Sequence, residues 1–153
     1  MATDIKPRAK SIYDQDFYVW TEQQTELLRQ RRFEELDLDN LIEEVEGLGD
    51  TKKSAVLSNA SVIIEHLLKL QHSPAQDPRR SWAESIVEHR TRLDLELTPR
   101  LRQILAAELP RLYALTRSAT ARKLRLYGED AAADDLPATC PYTVDQITGD
   151  WWP

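Results

Sequence analysis

The chain has 153 residues, a single cysteine, and 26 acidic against 20 basic side chains, which give a formal charge of −6. This length suits one domain that buries roughly 70% of the surface of its unfolded chain. A lone cysteine excludes an intramolecular disulfide framework and a Cys-rich zinc site, and it is typical of a reducing cytosol. The acidic balance argues against a general nucleic-acid binder, which needs a dense cationic face.

Hydropathy indicates a soluble cytoplasmic protein. No apolar run approaches the ~20 residues of a membrane span, and residues 1–11 lack the apolar core of a signal peptide. We expect residues 1–12 to form a flexible N-terminus and residues 13–153 to form a single helical-bundle domain.

The first helix is predicted over about residues 14–32, where apolar residues recur at spacings of three and four. Asp14 and Asp16 are both suitable N-caps. A short connection then leads into a much longer helix, for which Asp37 or Asp39 is the expected cap.

The longest predicted helix covers residues 38–72 and organises the chain. Gly47 and Gly49 each cost about 1 kcal/mol relative to alanine, so the sequence allows a kink, a brief break or the close approach of another helix there. The apolar residues nevertheless gather on one side when each is placed at about 100° of turn, as in a core-facing helix. This stripe consists of Leu38, Leu41, Ile42, Val45, Leu48, Ala55, Val56, Val62, Ile63, Leu67 and Leu70.

Three polar residues interrupt one flank of this stripe. Lys52, Asn59 and His66 follow one another at intervals of seven residues, where apolar side chains are expected. This flank is the part of the helix for which the local sequence offers no sufficient explanation.

A third helix is predicted to begin with a capping box, with Ser81 as the N-cap and Glu84 three residues later. Arg90 lies in its apolar seam. A buried arginine needs a carboxylate or carbonyl partner, and the glutamates near the start of the long helix are the obvious supply.

A fourth helix is predicted from Thr98 and Pro99, a helix start signal, to about Tyr127. Pro110 lies inside it and predicts a kink or a restart. Gly128 is expected to end the helix.

The tail, residues 128–153, reads as coil with one short helix after Thr143. Trp151 and Trp152 are costly to expose, so we expect the tail to pack back on the bundle or to dock on another subunit. The predicted fold is therefore all-α: a bundle of four main helices, largely antiparallel, with a coil-rich C-terminal tail.

Several blocks resemble an uncharacterised, all-helical bacterial family, domain of unknown function twenty-nine, over nearly the whole chain. They are YDQDFYVW, RRFEELDLDNLIEEVEGLG, HLLKLQ, SWAESIVEHR and CPYTVDQITGDWWP. The resemblance implies a helical bundle and no particular activity, substrate or cofactor. The positions that match its motifs are Trp20, Leu41, Glu43, Glu44, Glu46, Leu48, Gly49, His66, Leu67, Leu68, Lys69, Ser81, Trp82, Arg90 and Pro153.

A polar pocket inside the bundle is the most specific site that the sequence allows. Histidine and carboxylates can ligate zinc, iron or manganese, and His66 is the best single candidate ligand. Neither a Glu-x-x-His nor a His-Glu-x-x-His motif is present, and Glu46 lies roughly 30 Å from His66 along a straight helix. No cofactor or metal is therefore predicted. The candidate residues are Glu43, Glu44, Glu46, Asn59, His66, Lys69 and Arg90.

Two functional classes stay open. The first is a small helical interaction or regulatory module that self-associates, as a homodimer, or binds a protein partner; Trp151 and Trp152 are its candidate interface residues. The second is a metal-binding or small-ligand-binding bundle, or an enzyme, that uses the pocket around His66 and Arg90. The absence of any catalytic signature favours the first class over the enzyme. Neither a membrane nor a nucleic acid is an expected partner.

Overall fold

The computed structural model describes residues 11–153, so the N-terminus expected to be flexible lies almost entirely outside the described residues. Within this range the chain is helical and has four long helices, which confirms the all-α prediction. None of its described helices is long and apolar enough to cross a membrane. The helices are α1 (Ile12–Gln15), α2 (Phe17–Arg29), α3 (Leu38–His72), α4 (Arg79–Glu96), α5 (Pro99–Leu126), α6 (Asp130–Asp134) and α7 (Val144–Thr148), with one 3₁₀ turn at Phe33–Glu35.

The chain divides into two compact units, one that ends at Gly49 and one that spans Asp50–Pro153. The sequence predicts one domain over residues 13–153, whereas the contacts fall into these two groups. The boundary lies inside α3, so the residues of this helix up to Gly49 belong to the first unit and the rest to the second.

The first unit is built around Trp20. Its indole lies edge-on to the ring of Tyr13 at 4.9 Å and stacks with that of Phe17 at 5.6 Å. The indole nitrogen donates a hydrogen bond to Asp37 at 3.0 Å, and the side-chain amide of Asn40 donates to the same carboxylate at 2.7 Å. The bond from Asn40 is the main cause of the lowered pKa of Asp37. Asp37, which directly precedes α3, thus ties the start of the long helix to α2.

The first predicted helix is divided in the structure. Asp14 belongs to a capping box with Ser11 at the start of α1, and Asp16 caps α2 by accepting from the amide of Val19 at 3.1 Å. Both aspartates therefore act at helix starts, but of different helices. The helix also ends at Arg29 rather than at residue 32, because Arg31 adopts a left-handed backbone with φ of 56°.

The second unit contains the hydrophobic core, formed by α3, α4 and α5. Contacts along α3 and α4 run in opposite directions, since Lys52 meets Glu96 and Asn59 meets His89. Contacts along α3 and α5 run in the same direction, as Ser61 pairs with Thr116 and Glu65 with Lys123. The buried side chains include Val56, Ala60, Ile63, Ile64, Leu67, Leu68, Ile86, Leu93, Leu105, Leu109, Tyr113 and Leu124.

Both long helices run through the residues at which the sequence allows or predicts an interruption: the continuity favoured for α3 is confirmed, and the restart predicted at Pro110 is wrong. Helix α3 is continuous through Gly47 and Gly49, and a Cβ built on either glycine would meet no described atom within 4 Å. These glycines therefore do not mark the close approach of another helix. Helix α5 is likewise continuous through Pro110, without a restart. Burial of Leu109 and Tyr113 on either side of the proline offsets the cost of the lost hydrogen bond.

The predicted helix starts are confirmed with one exception. Thr98 caps α5 by accepting from the amide of Leu101 at 3.3 Å, and Thr143 caps α7 in a capping box. The capping box at Ser81 is wrong, because α4 already begins at Arg79 and the Ser81 hydroxyl donates to the carbonyl of Pro78 at 2.8 Å. Pro78 has helical backbone angles, which allows the first turn to form earlier.

The tail also holds α6, a second short helix that was not predicted. Gly128, with φ of +74°, ends the preceding helix as predicted. Trp151 packs against the core and lies 5.9 Å from the ring of Tyr142, whereas Trp152 keeps 42% of its surface exposed. The tail therefore packs back on the second unit through its first tryptophan.

Candidate functional site

Two polar side chains on the flank of α3 form hydrogen bonds with α4, and we call each of these pairs a rung. Lys52 donates to Glu96 at 2.7 Å, and the imidazole Nδ1 of His89 donates to the side-chain oxygen of Asn59 at 2.7 Å. The amide nitrogen of Asn59 is also satisfied, by the carbonyl of Ala55 at 2.8 Å. The step of seven residues from Lys52 to Asn59 along α3 is thus matched by a step of seven residues backward along α4, from Glu96 to His89. The first two polar insertions are explained by partners on α4.

His66 is the exception on this flank. The same spacing, continued by seven residues, places Trp82 of α4 opposite His66. The Nδ1 atom of His66 is buried without a hydrogen-bond partner among the described residues. Burial lowers the pKa of His66, and the ammonium of Lys69 lowers it further. Both effects favour the neutral imidazole over the charged one.

A carboxylate next to His66 holds two lysines together. Glu65 accepts from Lys69 at 2.6 Å and from Lys123 at 2.9 and 2.7 Å. Burial raises the pKa of Glu65, but the two ammonium groups outweigh this effect and its pKa is lowered overall. The carboxylate and Lys69 are each about one-seventh exposed, at 14% and 13% of their side chains. An ion triplet thus links α3 to α5.

On the helical wheel Glu65 lies opposite the apolar stripe of α3, and Lys123 lies between two arginines of α5, Arg122 and Arg125. One local signal does mark Glu65 and Lys69, since a glutamate four residues before a lysine is a favourable helical spacing. The contribution of Lys123 depends on the packing of two helices that lie far apart in sequence. Periodicity within one helix does not report that packing.

A cavity of about 360 Å³ lies beside the ion triplet, at the end of α3, the start of α4 and the end of α5. The ammonium of Lys69 lies 5.8 Å from the centre of the Trp82 ring. Glu129 contributes an Oε2 atom that is buried and has no hydrogen-bond partner among the described residues. The lining residues are Lys69, Ala75, Pro78, Trp82, Lys123, Leu124, Tyr127 and Glu129.

Arg90 holds the tail instead of lining a pocket. It is 7% exposed and donates to the carbonyl oxygens of Ile147 at 3.0 Å, Gln146 at 2.7 Å and Trp151 at 2.7 Å. Its guanidinium also lies 5.2 Å from the ring centre of Trp152. The expected partner is thus a set of backbone carbonyls, and the suggestion that glutamates of the long helix supply it is wrong.

The three glutamates of the predicted pocket belong to the first unit. Glu44 accepts a hydrogen bond of 2.5 Å from the hydroxyl of Tyr13, which raises the pKa of that hydroxyl to about 12. Glu43 and Glu46 are exposed. Helix α3 is continuous between Glu46 and His66, so no break in the helix brings these two side chains together. Over residues 11–153, no group of three or more histidine, cysteine or acidic side chains is placed to hold a metal ion.

The first unit carries an apolar surface where the sequence predicts core. Leu38, Ile42, Val45 and Leu48 are 56%, 55%, 64% and 70% exposed, although they continue the stripe that is buried in the second unit. We call these four residues the α3 apolar face. The prediction that they are buried is wrong, because each of the four is more than half exposed.

A family model, domain of unknown function DUF29, matches residues 12–152. The chain belongs to this family. No curated protein and no solved structure matches the chain at a significant level. The DUF29 match covers the described part of the first unit and almost all of the second, so the α3 apolar face and the cavity beside Glu65 both lie within the family domain.

Proposed function

We propose that the protein is a helical interaction module whose first unit receives a cationic amphipathic helix of another protein. The observation that carries this proposal is the α3 apolar face, a continuous row of exposed aliphatic side chains on a regular helix. Rows at this spacing are the usual anchors when a helix packs against a groove or another helix. Isolated exposed hydrophobic residues are common on protein surfaces, whereas a contiguous patch marks an interaction site.

The first unit has little hydrophobic core of its own. Among its described residues, Trp20 is the only buried hydrophobic side chain, and Gln24 is the other buried residue. Nine of the fifteen large hydrophobic side chains that are exposed over residues 11–153 belong to this unit. Units near the lower size limit of roughly 40 residues usually need a staple or a partner to be stable. A partner that covers the α3 apolar face would supply the missing burial.

The negative charge of the first unit favours a cationic partner. Residues 11–49 carry eleven acidic and three basic side chains, and on the helical wheel Asp39, Glu43 and Glu46 line one edge of the α3 apolar face. Two copies of such a surface repel each other, whereas a segment with lysines or arginines along its apolar row is attracted. Self-association through this face is therefore the less favourable arrangement.

The proposal is tested with two model peptides that share one amphipathic leucine pattern and differ in carrying lysines or glutamates at the polar positions. We expect the lysine peptide to bind the full chain, as measured by fluorescence anisotropy, and the affinity to fall as salt screens the charges. Val45→Asp should weaken the binding by about tenfold or more, which is 1.4 kcal/mol. Leu95→Asp is the matched control, since Leu95 is also exposed, at 84%, but lies in the second unit.

The measurements also separate the alternatives. Equal binding of both peptides, or equal loss in the two variants, contradicts the proposed site. A dimer in native mass measurements that Val45→Asp dissociates would replace the cationic partner with a second copy of the chain.

A cytoplasmic setting and a bacterial source fit this proposal and rest on the sequence alone, through the lone cysteine and the family resemblance. Nucleic acid is a less suitable partner, because three basic side chains of α5 already have partners within the protein. Arg117 donates to the carbonyl of Leu136, Lys123 to Glu65 and Arg125 to Asp134.

A second candidate function is binding of a small molecule. It no longer rests on Arg90 or the Glu43, Glu44 and Glu46 group, whose side chains have other surroundings. The observation that favours it is the cavity beside the ion triplet.

A further inference from the structure

The cavity at the end of α3 has one wall that is positively charged. Lys69 and Lys123 both donate to Glu65, so two ammonium groups share a single carboxylate. Each ammonium has three N–H donors, and the hydrogen bonds to Glu65 use one from Lys69 and at most two from Lys123. This wall therefore has a surplus of one positive charge and unused donors that border the cavity.

The same cavity has a carboxylate on another wall. Glu129 lines it, and its Oε2 atom is buried with no donor within hydrogen-bond distance in the described part of the chain. A buried acceptor without a donor costs about 1 to 3 kcal/mol, and more when it is charged. An unpaired buried acceptor on a residue that lines a cavity needs a donor from elsewhere, which a water or a bound molecule would supply.

The remaining lining is largely apolar. It consists of Ala75, Pro78, Trp82, Leu124 and Tyr127, and the indole of Trp82 provides a flat face at the start of α4. Ligand cavities commonly combine walls of this kind with a few convergent polar groups. A volume of about 360 Å³ is at the small end of the usual range of ~300–1,000 Å³.

We propose that this cavity binds a free α-amino acid with an apolar side chain, in its zwitterionic form. The ammonium of the ligand pairs with Glu129, its carboxylate with Lys69 and Lys123, and its side chain with Trp82 and Leu124. The four charged side chains, Lys69, Lys123, Glu65 and Glu129, sum to zero, as does a zwitterion. A simple anion would leave Glu129 without a donor, and a simple cation would meet the two lysines.

The test compares three probes that share one phenyl group, measured by isothermal titration calorimetry on the full chain. L-Phenylalanine has both charges, 3-phenylpropionate lacks the ammonium, and 2-phenylethylamine lacks the carboxylate. We expect phenylalanine, or leucine or methionine in its place, to bind at least about tenfold more tightly than either truncated probe. Equal binding of 3-phenylpropionate, or no binding by any of these amino acids at millimolar concentration, would overturn the proposal.

Two variants assign the charges to their partners. Glu129→Gln keeps the shape of the side chain, and it should weaken phenylalanine about tenfold without weakening 3-phenylpropionate, since it removes a like charge from beside that anion. Lys123→Met should weaken phenylalanine without weakening 2-phenylethylamine, for the same reason with the signs reversed. Asp130→Asn is the control, because Asp130 follows Glu129 directly but does not line the cavity. If both site variants fold, as judged by circular dichroism, and bind phenylalanine like the wild type, the site is refuted; if one fails to fold, the other decides.

Discussion

Replacement of Arg90 by methionine should be among the most damaging single changes in the second unit. The guanidinium is 7% exposed and donates three hydrogen bonds to backbone carbonyls of the tail. Hydrogen bonds from a charged donor are each worth about 1.5 to 3 kcal/mol. Because the three bonds share one side chain and methionine retains part of the packing, we expect a total loss of about 3 to 5 kcal/mol.

The size of this loss can be measured by urea denaturation and by thermal melting. For a chain of this length, 1 kcal/mol shifts the melting temperature by about 2 to 4 °C, so Arg90→Met should lower it by roughly 6 to 20 °C. Hydrogen exchange should show lost protection at Val144–Thr148, the helix α7 that carries two of the acceptors. Lysine at this position should recover only part of the loss, because one ammonium lacks the planar fork of donors.

Arg92→Met provides the matched control. Arg92 lies on the same helix, but it is exposed and pairs only with Glu88 four residues earlier. Such surface pairs contribute about 0 to 1 kcal/mol. A melting curve for Arg90→Met that coincides with that of Arg92→Met would refute the view that Arg90 holds the tail.

Two further predictions concern the flank of α3. Asn59→Ala should destabilise the protein by about 1 to 3 kcal/mol, because it leaves the half-buried imidazole of His89 without its acceptor. In a double-mutant cycle measured by urea denaturation, His89→Ala should cost clearly less in the Asn59→Ala background than in the wild type. Additive losses of stability would contradict the pairing. Burial lowers the pKa of His66 in the folded protein, so the unfolded state binds more protons as the pH drops through the ordinary pKa of 6.5, and the free energy of unfolding should fall there. His66→Leu should flatten this dependence, and parallel curves for the variant and the wild type would contradict the burial of the imidazole.

The all-α fold was predictable because its signals are local. Thr98 with Pro99, Thr143 and Gly128 mark helix ends through hydrogen bonds or backbone angles of neighbouring residues, and each is confirmed. The apolar stripe of α3 also has the right period, but periodicity does not say whether another helix covers it. Its second half is core, whereas Leu38 and Val45 in the first half are exposed.

The candidate site was predictable only in part, because its contacts join residues far apart in the chain. The sequence marks Asn59 and His66 as polar residues in an apolar flank, but His89 and Glu65 acquire their roles only when the helices pack. The sequence shows that Arg90, if buried, needs a hydrogen-bond acceptor. No pattern near Arg90 indicates that carbonyl oxygens almost sixty residues later supply it. Glu129 gains its significance from a cavity that no single segment forms.

The two rungs between α3 and α4 also make the alignment of these helices unique. A slide of one heptad toward lower numbers on α4 would bring Lys52 opposite His89 and Asn59 opposite Trp82, since the rungs repeat every seven residues. The lysine would then lose its carboxylate and the asparagine its imidazole, although the apolar stripes would still meet. Several alignments of the two helices satisfy hydrophobic contact alone. The native alignment is distinguished because its two successive rungs differ in chemistry, one being an ion pair and the other an imidazole–amide hydrogen bond.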